Sequence, residues 1–167
     1  MDFQKELIAE FDREATRTRK LLAAIPEDVD FTFKPHPKSM SLGRLAGHIS
    51  ETAGEWTVST LTKSKLEFPA DHKWEPYIPA STKALLERYD KEVAAAKAAL
   101  ASFAPVKWDE NWKFVSGGHA WIDDTKYRVY RDWVLNHLIH HRAQLGVYLR
   151  LLNKPIPGTY GPSADET

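Results

Sequence analysis

Hydrophobic residues recur at three- and four-residue spacings over residues 2–25, where Phe3, Leu7, Phe11, Leu21, Leu22 and Ile25 are separated by charged positions. That period predicts an amphipathic helix with one apolar stripe. Pro26 ends it, and Pro35 and Pro37 lack the amide donor that a helix interior needs, so residues 26–40 are expected as an extended connection. Ser41 is placed to cap a second helix running to residue 63 through Leu42, Leu45, Ile49 and Trp56. Gly43, Gly47 and Gly54 interrupt it, each costing roughly 1 kcal/mol against alanine, so a close approach of other backbone must compensate. Pro69, Pro76 and Pro79 mark a second connection, and Ser81 or Thr82 opens an alanine-rich third helix that ends near Phe103.

The period then changes. Trp112 to Val115 and His119 to Ile122 flank Ser116-Gly117-Gly118, the signature of a hairpin too small to form a sheet core. Asp123, Asp124 or Thr125 caps a last helix reaching Leu152, stopped by Lys154-Pro155 and Pro157-Gly158. The stretch from Ile156 onward is expected as an irregular tail packed through Ile156 and Tyr160. The expected fold is therefore all-α, a four-helix bundle with a small hairpin between the third and fourth helices, in one domain over residues 1–167.

Composition narrows the function. Lys plus Arg and Asp plus Glu both number 23, so no net charge supplies a long-range field for nucleic acid or acidic lipid. Six basic residues against one acidic on the last helix raise the question of DNA, but they are interleaved without a recognition-helix pattern and read as a solvated face. There is no cysteine, which excludes thiolate metal sites and a cysteine nucleophile. The start, with Asp2, Lys5 and Glu6, lacks the apolar stretch of a secretory signal and no run of 18 apolar residues occurs, so a soluble, cytoplasmic protein with no membrane partner is expected.

Candidate chemistry lies in His137-Leu138-Ile139-His140-His141. At about 100° per residue His137 and His141 fall roughly 40° apart on one helix face, with Gln144 beside them and His140 turned away. A wheel of the whole last helix places this pair near the centre of the apolar half, with Tyr130 and Tyr148 on the same half. Imidazoles at i and i+4 suit a divalent metal, and a buried imidazole needs either an ion or hydrogen-bond partners. Both readings are open on geometry alone. A zinc-protease reading fails, because Leu138 stands where the general-base glutamate would be. On the second helix, His48 lies at the edge of the apolar stripe, and Glu51 and Glu55 follow at one and two turns, where a solvated face is the commoner fate. His36, His72 and His119 read as loop residues, and the six tryptophans read as packing.

These stretches resemble the DinB family: Pro35-His36-Pro37-Lys38-Ser39-Met40-Ser41-Leu42 leading to His48, then Asn136-His137-Leu138-Ile139-His140-His141-Arg142-Ala143-Gln144-Leu145, and the tail from Leu151 to Gly158 with Tyr160 to Ser163. Ala143 replaces a glycine common in the family. The resemblance implies an up-down-down-up bundle holding a divalent metal (nickel, zinc, iron or manganese) on three histidines, here His48, His137 and His141. It also implies a homodimer and a link to stress response. Some members are thiol-dependent transferases or isomerases, so a low-molecular-weight thiol and an electrophilic small molecule are the expected partners. In the enzyme reading the ion activates a thiol or water, and Gln144, Tyr130 or Tyr148 orients second groups. The alternative is a non-catalytic metal-binding stress-response module.

Overall fold

The computed structural model describes residues 2–166. The first rod, α1, is Phe3–Ala23, capped by Asp2, whose side chain accepts from the Lys5 amide. The second, α2, covers residues 42–62: Ser41 caps it, and a π-helical turn, Thr52–Trp56, separates the α-helical stretches Leu42–Glu51 and Thr57–Thr62. The third, α3, is Thr82–Ser102, capped by Ser81. The fourth, α4, covers residues 126–151, with Thr125 as its cap and a second π-helical segment, Tyr130–Asn136, ahead of His137–Leu151.

Cross-links between rods fix their directions. Gln4 Nε2 donates to the Leu100 carbonyl, and the Tyr89 hydroxyl donates to Ala15 O, so α1 and α3 run antiparallel. Glu10 pairs with Arg131 and Glu14 with Arg142, so α1 and α4 run parallel. Lys126 Nζ donates to Leu61 O while His48 faces His137, so α2 opposes α4. Two apolar clusters fill the interior. One gathers Leu22, Leu42, Leu45, Ile49, Leu138 and Leu145; the other gathers Phe11, Leu61, Leu100, Trp108, Tyr130 and Leu135. Along α4 His137 falls where one cluster gives way to the other, between Leu135 and Leu138, while His48 and His141 lie along the first.

The expectation of an all-α fold is corrected by a three-stranded mixed sheet. Strands β2 (Asn111–Ser116) and β3 (His119–Thr125) form the antiparallel hairpin, closed by Gly117 and Gly118 at φ of 60° and 77°, backbone that favours glycine. Strand β1 (Lys65–Phe68) joins it in parallel, with Lys65 opposite Lys113 and Phe68 opposite Ser116. Its four residues follow directly on α2, in a segment whose local pattern predicts only a connection, and their pairing depends on a strand far along the chain. The sheet packs on the bundle through buried Trp112, whose Nε1 donates to Ser59 O.

The glycines of α2 now have a reason. A Cβ on Gly47 would sit 2.2 Å from the Tyr77 carbonyl oxygen, and one on Gly54 would sit 2.1 Å from Glu92 Cβ. The connection between β1 and α3 therefore runs its backbone directly over α2. At the other side of the bundle, Glu14 and Arg142 are almost fully buried and paired at 2.7 Å, with the Tyr160 hydroxyl donating to Glu14 at 2.8 Å and accepting from Arg142 at 2.6 Å. Burial alone would raise the Glu14 carboxyl, but its bonds from Tyr160 and Arg142 outweigh this and hold it below the usual range.

These contacts can be tested through stability. Gly47→Ala is expected to destabilise by about 1–3 kcal/mol in urea unfolding, because the clash exceeds alanine's roughly 1 kcal/mol helix advantage; a gain in stability would mean that the Tyr77 backbone yields freely. Glu14→Ala leaves the Arg142 guanidinium buried without its carboxylate and is expected to cost about 3–5 kcal/mol in the same measurement.

Candidate metal centre

His48 lies in the last turn of the first α-helical stretch of α2, and His137 and His141 open the final stretch of α4. The facing rods bring one ring nitrogen of each to within 4.8 Å of the others. Nε2 of His48 lies 3.2 Å from Nε2 of His137, which lies 2.7 Å from Nε2 of His141. His48 and His141 are each 7% exposed, and His137 is half-buried.

In two of the rings the opposite nitrogen faces a hydrogen-bond partner. His141 Nδ1 lies 2.8 Å from Gln144 Oε1, and His48 Nδ1 lies 3.3 Å from Glu51 Oε2. The third ring, His137, has the Trp133 backbone beside it, which favours its protonated form. Within the π-helical segment the His137 amide turns to Asp132 and Val134 rather than to Trp133. Arg44 Nη1 donates to Glu51 Oε2 at 2.8 Å, while its Nη2 lies 3.2 Å from His48 Nδ1, so this nitrogen either donates to Glu51 or accepts from Arg44. The tautomer that donates to Glu51, with His141 donating to Gln144, leaves the Nε2 lone pairs of His48 and His141 on the side of His137 Nε2.

Burial, with the nearby His48, pushes both His137 and His141 down to about 4, so both rings are neutral near pH 7. Burial would raise Glu51, yet the bonds it receives from His48, the Tyr77 amide at 3.0 Å and Arg44 lower it, and it stays a carboxylate. Nitrogens held about 2.1 Å from a common ion lie about 3.0 Å apart at right angles and about 3.4 Å apart in a tetrahedron. The observed separations are within a few tenths of an ångström of the first value in one pair and of both in the other. Neutral imidazoles with outward-tied Nδ1 atoms are the donor set that a divalent ion takes, so the group could hold one.

Other residues singled out by their positions in the chain stand elsewhere. The Tyr130 hydroxyl is buried without a partner, packed against Trp108, and Tyr148 donates to Met40 O; neither touches the three rings. Glu55 is exposed, and His36, His72 and His119 are exposed as expected. His140 accepts from Gln144 Nε2 at 3.0 Å and thereby fixes the amide that holds His141. Two groups at the centre escape sequence reasoning. Trp56 and Trp133 stack at 4.9 Å with 19° between planes and wall the centre, Trp56 meeting His48 edge-on at 5.6 Å and His137 at 5.5 Å. Arg44, one turn before His48, is the other, and only its i, i+4 spacing hints at it.

A family profile described as the DinB family matches residues 1–167. The chain belongs to the DinB family. Among solved structures, this DinB-family protein is similar to a DinB-like protein from Bacillus cereus, at 24% identity and a TM-score of 0.67, covering 89% of this chain and 92% of that one. It is also similar to a DinB-like protein from Bacillus subtilis, at 19% identity and a TM-score of 0.68, covering 92% and 97%. These likenesses bear on the fold. No curated protein matches the chain. Among the described residues no helix is long and apolar enough to cross a membrane.

The histidines make the metal-free protein acid-sensitive, with a definite sign. An unfolded imidazole titrates near 6.5, whereas the folded His137 and His141 resist protonation down to about 4. Between those values the unfolded chain binds protons that the folded chain refuses, so the histidines' contribution to stability is full above pH 6.5, falls as pH drops and levels off below about 4, while the lowered carboxyls of Glu14 and Glu51 add a further loss at the acid end. Urea midpoints of chelator-treated protein across this range are expected to fall, and more shallowly in His141→Gln; identical slopes would contradict the assignment.

Proposed function

We propose that this DinB-family protein is a metal-dependent enzyme whose divalent ion is held by Nε2 of His48, His137 and His141. The observation that carries this reading is the convergence of one nitrogen from each ring, with the Nδ1 atoms of His48 and His141 turned outward to Glu51 and Gln144. A bound divalent ion with three neutral protein ligands supplies Lewis-acid chemistry at its open positions, lowering the pKa of a water or thiol there. Glu51 holds the His48 proton and places one negative charge beside the centre. Gln144, itself held by His140, keeps the His141 ring in its ligating tautomer. The Trp56 and Trp133 rings shield His48 and His137 from water on one side. Three nitrogens accept nickel, zinc, iron or manganese without selecting among them.

The finer reading is a cytoplasmic thiol-dependent transferase or isomerase, acting on a low-molecular-weight thiol and an electrophilic small molecule. Its support is the family resemblance together with a ligand set that leaves the ion's charge unneutralised for a thiolate. A second reading, a metal-stabilised stress-response module without catalysis, draws on the depth of the site: His48 and His141 are only 7% exposed, which suits a closed structural centre.

Elemental analysis of untagged protein is expected to find about one divalent ion per chain, lost in His137→Ala and in His141→Ala. Unchanged metal content in both variants would refute the ligand assignment. With metal bound, turnover of an electrophile with bacillithiol, mycothiol or glutathione favours the enzyme, and no turnover with any of them favours the module.

A further inference from the structure

Beside the histidine centre lies a cavity of about 790 Å³, within the size range of small-molecule sites. None of the three histidines lines it, although Glu51, Trp56 and Trp133 belong to both. Its wall is an arc of aromatic rings drawn from separate elements. Trp56 of α2 stacks on Trp133 of α4, Trp133 meets Phe114 of β2 at 5.6 Å, Phe114 meets Phe68 of β1 at 6.2 Å, and Phe68 meets Trp74 at 4.5 Å. Trp74, from the connection after β1, is 58% exposed, so the arc ends in an indole with a largely uncovered face. This explains why the small sheet exists where it does: β1 and β2 carry Phe68 and Phe114 to the open side of the bundle.

The wall is also biased in charge. Arg44 is paired with Glu51 at 2.8 Å, and Glu92 with Arg88 at 2.5 Å, so those charges are internally offset. Glu55 and Glu75 also line the cavity and have no ion pair among the described residues, against one such cation in the wall, Lys63. Ser59 in the same wall is 5% exposed, and its Oγ has no hydrogen-bond partner, an arrangement a ligand donor would relieve. Indole faces attract cations, and an excess of carboxylates repels anions.

We propose that this cavity binds a small organic amine with a flat aromatic body, the rings lying along the Trp56–Trp133 and Phe114 surface and the ammonium facing Glu55. The inference stands apart from the metal reading, because the wall is complete without the histidines. A ligand there would still be sensed at the centre, since Trp56 touches both His48 and His137.

Three probes of one shape test it by calorimetric titration: 1-naphthylmethylamine, 1-naphthalenemethanol and 1-naphthoate. The amine is expected to bind tightest and the carboxylate weakest, by roughly tenfold or more between the two. Glu55→Gln, at an exposed position, should cut the amine's advantage over the alcohol severalfold and leave the alcohol unchanged. Trp133→Phe should weaken all three probes with helical content preserved. The ranking should persist in chelator-treated protein and in His137→Ala, which separates this proposal from the metal assignment. A carboxylate that binds as well as the amine, an amine preference untouched in Glu55→Gln, or affinities all weaker than about 1 mM would overturn it.

Discussion

Three neutral imidazoles that aim their lone pairs at one another inside a protein repel, and nothing in the rings themselves removes that repulsion. Here the Nε2 atoms stand at 3.2 and 2.7 Å, with the Nδ1 atoms of His48 and His141 turned out to Glu51 and Gln144. Such an arrangement persists because the surrounding structure holds it. Glu51 is the hinge of that support: one carboxylate oxygen takes the His48 proton and the Arg44 guanidinium, and the other takes the Tyr77 amide. The connection after β1 must therefore cross α2 closely enough to deliver the Tyr77 backbone, and Gly47 is the residue whose missing side chain lets it pass. A packing detail, a loop path and an ionised carboxylate thus belong to one chain of cause that ends at a ring nitrogen.

Both rods that meet at the centre carry a π-helical segment, Thr52–Trp56 and Tyr130–Asn136. A wider turn rotates the residues on either side of it relative to an uninterrupted helix and leaves a carbonyl without its usual amide. In α4 the segment ends at His137, whose amide turns to Asp132 and Val134. The two segments also present Trp56 and Trp133 to each other, so the same local departures from α-geometry lead into a ligand position and build the stacked wall beside it.

How much of this is legible in the chain depends on the range of the interaction. The four rods and their Ser41, Ser81 and Thr125 caps are written in local periodicity and capping chemistry, and so is the Gly117-Gly118 turn. The i, i+4 spacing of His137 and His141 is enough by itself to put them on one face, whereas His48 joins them through family resemblance rather than spacing. Strand β1 is not legible: four residues carry too short an alternation, and their partner strand lies nearly fifty positions later. Glu51 reads as one more solvated helix glutamate because the amide and guanidinium that hold it come from elsewhere in space. Tyr130 falls on the apolar half of α4 as a wheel places it, but it stands about two turns before His137, and its ring packs in the Phe11 and Trp108 cluster.

The buried pair of Glu14 and Arg142 is completed by Tyr160, from the irregular stretch that follows α4. Arg142 immediately follows His141, so the last irregular stretch closes a lid over charges that sit one residue from a candidate ligand. The surface-exposed Tyr160 ring thus carries a hydroxyl that two interior charges share, and losing that one oxygen is felt inside the bundle.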